Sequence, residues 1–134
     1  MKFMLILKSS KDSEAGKMSS EESIAAMVKY NQEQAKAGIL VDAAGLYPSS
    51  KGARVRFSAG GKKTVTDGPF TESKELVGGY WIIQVKSREE ALEWASRIPG
   101  RDNETVEVRR MFDLTDFDPE TQKEIQKKYP DAWR

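Results

Sequence analysis

The chain has 134 residues, one domain's worth, and its 22 Lys and Arg against 21 Asp and Glu leave a net charge of +1. That balance predicts no general attraction to nucleic acid or to an anionic membrane. Cysteine and histidine are both absent, which excludes disulfides, thiolate nucleophiles, imidazole ligands and histidine acid–base catalysis.

Acid–base chemistry therefore falls to Asp, Glu, Lys or Tyr. No cofactor and no tightly held transition metal are expected, because the remaining oxygen donors suit only harder ions such as magnesium or calcium. The apolar run Phe3–Leu7 is too short for a signal-peptide core or a membrane span, so a cytoplasmic protein is expected.

Lys2–Lys8 is apolar with lysines at both ends and reads as a buried strand. Ser9–Met18 is polar, contains Gly16, and is expected to be a loop. Ser19-Ser20-Glu21-Glu22 matches a capping box, and Ile24, Met27, Val28, Asn31 and Ala35 then mark one face of a helix that stops at Gly38.

Ile39–Tyr47 reads as the second strand. Ala53–Ser58 and Lys62–Thr66 flank Gly60-Gly61 and predict a hairpin. Gly79–Lys86 is the strongest strand signal in the chain.

Ser87-Arg88-Glu89-Glu90 is a second capping pattern, with Ala91, Trp94, Ala95 and Ile98 as the stripe of the helix that follows. Thr105–Met111 alternates like a half-exposed strand, and Asp118-Pro119 opens a short final helix. Set aside the hairpin, and the order is strand, helix, strand, strand, helix, strand. This predicts a ferredoxin-like α+β fold over residues 1–112 and a C-terminal extension over 113–134. The sheet face opposite the helices has no segment left to cover it, so a homodimer joined through that face is expected.

The ordered series Met1–Leu5, Gly45-Leu46, Thr66–Phe70, Glu72 with Lys74-Glu75, Gly78–Tyr80, Glu90–Ala95 and Val106–Arg109 resembles the YCII-related superfamily and, within it, the DGPF-domain branch. The resemblance implies a dimeric α+β barrel. Better-studied members of that superfamily use a histidine on the first helix with an aspartate, a dyad that this chain cannot form. DGPF-type proteins are also associated with extracytoplasmic-function sigma factors, which implies a regulatory setting.

The loop Asp67–Glu75 is the expected site, since loops on a rigid scaffold carry much of protein chemistry. Asp67 and Glu72 are the candidate catalytic carboxylates, and Tyr80, Asn31 and Arg109 the candidate ligand-binding residues. Each has a plainer reading: turn chemistry for Asp67, a solvated loop for Glu72, a satisfied core-edge amide for Asn31, packing for Tyr80 and a surface ion pair for Arg109. Asp113, Asp116 and Asp118 lack the glycine and glutamate of a calcium loop, and there is no phosphate-binding fingerprint. Two functions stand open, a small-molecule-binding or enzyme-like homodimer and a non-catalytic interaction module serving a transcription regulator.

Overall fold

The computed structural model describes residues 1–71 and 75–131. Four antiparallel strands, β1 (Lys2–Lys8), β2 (Leu40–Gly45), β5 (Val77–Gln84) and β6 (Val106–Arg110), form a sheet in the order β2-β5-β1-β6. Helices α2 (Glu21–Lys36) and α3 (Arg88–Ser96) link β1 to β2 and β5 to β6. This is the ferredoxin-like α+β arrangement. Among the described residues, strands β3 (Ala53–Phe57) and β4 (Lys63–Asp67) pair only with each other. The single-turn helix α1 (Lys11–Glu14) and helix α4 (Pro119–Lys128) complete the order.

Alternation along the strands sends Phe3, Leu5, Trp81 and Ile83 to the helical face, where they are buried with Tyr30, Ala91, Trp94 and Ile98. Leu5 and Ile83 are fully buried, and such a side chain contributes about 1.5–3 kcal/mol through lost water contact. Tyr30 meets Trp81 edge-on at 5.6 Å and Trp94 at 6.3 Å between ring centroids. Its hydroxyl donates to the Trp94 carbonyl at 2.8 Å and accepts from Gln34 Nε2 at 2.8 Å. Burial holds the Tyr30 phenol far above its ordinary pKa.

The face that α2 turns to the sheet differs from the expected stripe. Tyr30 and Gln34 are its buried residues, whereas Ile24 and Val28 are 44% and 49% exposed. The reason is chemical: two polar-tipped side chains satisfy one another in the core, so hydropathy alone points to the wrong edge. Gln34 Oε1 is a buried acceptor with no partner among the described residues.

Two helix starts also differ. Ser9–Met18 is not all loop, because Ser10 and Ser13 cap each other's backbone amides and close α1. Helix α2 is capped by Ser20, whose hydroxyl accepts from the Ser23 amide at 3.1 Å, one residue beyond the expected cap. At α3 Ser87 caps as expected, and Glu90 accepts from the Lys86 amide. At α4 Asp118 caps with Pro119 behind it.

The hairpin forms where expected, with Gly60 and Gly61 at φ 78° and 76°. Only glycine takes two such residues in succession without strain. Among the described residues no helix is long and apolar enough to cross a membrane.

Candidate functional site

A cleft of about 650 Å³ opens between the Ser10–Ser19 segment, the N-terminal half of α2, the exit of β2 and the Ile98–Arg101 turn. Its apolar wall comes from Leu7, Ile24, Met27, Val28, Leu46 and Ile98, and Tyr47 stands at its edge, 86% exposed. Ile24 and Val28 are thus the apolar residues of α2 that the core does not use. Helix α2 serves two surfaces at once, the core through Tyr30 and Gln34 and the cleft through its neighbouring edge.

A second recess of about 250 Å³ adjoins the first and shares Leu7, Met27, Asn31 and Gly78 with it. It extends along Ala43–Gly45 to Gly79, Tyr80 and Trp81. A Cβ on Gly79 would lie 3.0 Å from the Ala44 carbonyl oxygen, so the absence of a side chain there lets β2 and β5 approach closely beside the recess.

Asn31 stands where the two spaces meet. Its Oδ1 accepts from the Trp81 indole N–H at 2.7 Å. Indole nitrogen only donates, so the amide oxygen must face it and the Nδ2 hydrogens are left for the cleft. The amide is thus oriented by the core and presented to the opening.

The charged groups of the cleft are Lys8, Lys17, Arg101, Asp12 and Glu104. Lys17 sits 3.5 Å from Asp12. Arg101 donates from Nη2 to Ser23 Oγ at 3.1 Å, while its backbone amide donates to Glu104 Oε1 at 2.6 Å. A register irregularity between Leu7 and Lys8 breaks strand alternation, and both residues reach the cleft wall.

The five residues singled out from the sequence are dispersed. Asn31 and Tyr80 both border the smaller recess, but alternation along β5 turns the Tyr80 side chain to the sheet face opposite Trp81 and Asn31. The Tyr80 hydroxyl donates to Asp42 Oδ2 at 3.1 Å, and that hydrogen bond to a carboxylate raises the phenol above its ordinary pKa. Arg109 is exposed and pairs with Glu107 at 3.3 Å. Asp67 ends β4, exposed, and lines neither space; its carboxylate has no hydrogen-bond partner among the described residues. Glu72 lies outside the described residues.

The turn after Asp67 is nevertheless firmly built, by residues that the sequence did not single out. Ser49 accepts from the Phe70 amide at 3.0 Å and its own amide donates to Glu14 Oε2 at 2.8 Å. Its hydroxyl donates to the other oxygen of Glu14. The Gly68 amide donates to the Gly52 carbonyl at 3.0 Å, and a Cβ on Gly68 would fall 1.8 Å from Ser49 O. The Arg54 guanidinium lies 3.8 Å from the Phe70 ring centroid. Nothing in the spacing of Glu14, Ser49 and Phe70 announces this cluster, because its members come from three separate segments.

An α+β domain with a partly apolar cleft beside its first long helix is the class that these features define. The YCII-related domain family matches residues 1–115, and the chain belongs to that family. An uncharacterized protein of Rhizobium meliloti is 40% identical over 76 residues, which are 55% of this chain and 60% of that relative. Among solved structures, 5-chloro-2-hydroxyhydroquinone dehydrochlorinase from Burkholderia phenoliruptrix, in complex with 2,5-dihydroxybenzoquinone, aligns with 88% of this chain and all of its own. With 15% identity and a TM-score of 0.44, that likeness says nothing about the chemistry of this chain.

Proposed function

We propose that this YCII-related chain is a cytoplasmic homodimer of the DGPF type that binds a compact, largely apolar molecule in the cleft beside α2. The observation that carries the reading is the oriented Asn31 amide at the junction of the two spaces. Pockets for small molecules combine apolar walls with a few fixed polar groups, and this one has the volume for such a ligand. Asn31 Nδ2 donates to an acceptor oxygen of the ligand, and Lys8 with Arg101 offsets negative charge. Asp67 and Arg109 have no part in this cleft.

The homodimer reading rests on the sheet face opposite the helices. Met4, Ile6 and Ile82 alternate with the core residues and point there, half-buried. No observation favours the alternative of an interaction module for a sigma factor.

The test is a thermal-shift screen of aromatic and aliphatic carboxylates, phenols and ketones, followed by calorimetry on any hit. A hit whose affinity Asn31→Asp lowers at least about tenfold, the worth of a good hydrogen bond, supports the reading. A hit bound equally by the variant refutes the site.

A further inference from the structure

The β3–β4 hairpin is poorly explained by its own chain. Among the described residues it pairs with no other strand, and an isolated two-stranded hairpin is marginal in water. The register Val55↔Val65 and Phe57↔Lys63 puts Val55, Val65 and Phe57 on one face. They are 51%, 66% and 73% exposed.

The hairpin is also strongly charged. Residues 51–66 hold five cations, Lys51, Arg54, Arg56, Lys62 and Lys63, and no acid. With the chain at +1, everything outside the hairpin carries −4, seventeen cations against twenty-one acids.

One other exposed segment has the opposite character. Residues 111–122 contain Asp113, Asp116, Asp118 and Glu120 and no Lys or Arg. In their midst Phe112 is 73% exposed, resting on Phe117 at 5.9 Å between ring centroids. The segment is anchored where it leaves β6, an edge strand of the sheet, by the Met111 amide donating to the Lys2 carbonyl at 2.9 Å. Phe57 and Phe112 are both open, so the basic arm and the acidic segment do not cover one another within a single chain.

We propose that the hairpin is an arm that docks on the 111–122 segment of a second copy, with Phe57 beside Phe112, and with Lys63, on the Phe57 face, and its neighbour Lys62 against the acids. Opposite charge steers and registers such a contact, and the aromatic pair supplies its desolvated centre. In a twofold dimer each copy gives one arm and receives one. The inference rests on the homodimer reading and adds which elements meet.

The lack of cysteine makes a direct experiment clean. Ser58→Cys and Thr115→Cys leave both phenylalanines in place; the two variants are mixed and treated with a short bismaleimide. Expected is a cross-linked product of the unlike pair at twice the 15.1 kDa chain mass. The double variant Lys62→Glu/Lys63→Glu should raise the dimer dissociation constant at least about tenfold in low salt, and Glu120→Lys on the other copy should recover part of the loss.

A dimer in sedimentation with no unlike cross-link overturns the arm and leaves the homodimer standing. A monomer at 100 μM overturns both. A protein that gives no cross-link and shifts a labelled DNA duplex overturns the arm in favour of a nucleic-acid role for the basic hairpin.

Discussion

The Trp81 indole N–H reaches Asn31 Oδ1 at 2.7 Å, and through this bond a buried core residue sets the direction of the amide at the heart of the cleft. Two substitutions separate its structural and binding roles. Asn31→Asp keeps an acceptor for the indole and removes the Nδ2 donor, so stability holds while affinity for an acceptor ligand falls. Asn31→Leu leaves the indole N–H unpaired and lowers unfolding free energy by about 1–3 kcal/mol in a urea titration. Equal stability of the two variants contradicts this assignment.

Gly68 is placed by close approach. A methyl group at 1.8 Å from Ser49 O cannot be accommodated without moving the backbone, and overpacking of this kind costs about 1–3 kcal/mol. Gly68→Ala is expected to lower the urea midpoint accordingly, with an unchanged far-ultraviolet circular dichroism spectrum. A variant as stable as the native chain would show that the turn yields freely.

The buried Tyr30–Gln34 pair predicts opposite outcomes for its two members. Tyr30→Phe strands Gln34 Nε2, at a cost of about 1–3 kcal/mol, while the Trp94 carbonyl keeps the Arg97 amide as a donor. Gln34→Leu removes an acceptor that is already orphaned and leaves the Tyr30 hydroxyl its bond to Trp94, so stability changes by under about 1 kcal/mol or rises. Thermal unfolding of both variants reads the contrast.

Tyr80 carries a pH signature. Its phenol is raised above 10.0 by the bond to Asp42, so the contribution of that bond to stability is complete below pH 10 and fades as pH climbs through the folded-state value. Ultraviolet difference titration should show one phenol moving to lower pKa in Asp42→Asn, while Tyr30, held far above its ordinary value by burial, is unaffected. An unmoved titration curve rules the Asp42 contact out as the cause.

Asp67→Asn is expected to be silent in binding to the cleft and nearly silent in stability, because Asp67 is exposed and its carboxylate has no hydrogen-bond partner among the described residues. Loss of ligand affinity in calorimetry with this variant would move the site from α2 to the hairpin root.

The sheet, both long helices and the hairpin were readable because strand alternation, capping serines and paired glycines are local signals. The face of α2 was not. Ile24 and Val28 looked like core, yet a hydroxyl and an amide that satisfy each other let Tyr30 and Gln34 take that place. Asn31 was readable as a polar interruption of an apolar stripe, but the Trp81 partner that orients it lies fifty residues away. The firmness of the turn after Asp67 was equally hidden, since it depends on Glu14 and Ser49 arriving from elsewhere.

Ser49 joins Glu14 of the cleft-side segment to Phe70 at the root of the hairpin. The Ser49 and Phe70 amides are therefore protected by one shared cluster, and neither is freed while the serine stays in place. In hydrogen-exchange terms they belong to a single opening event. Ser49→Ala takes the acceptor from the Phe70 amide while the residue-49 amide keeps Glu14 Oε2, so a rise in exchange at both amides reports that the cleft wall and the arm's root loosen as one body.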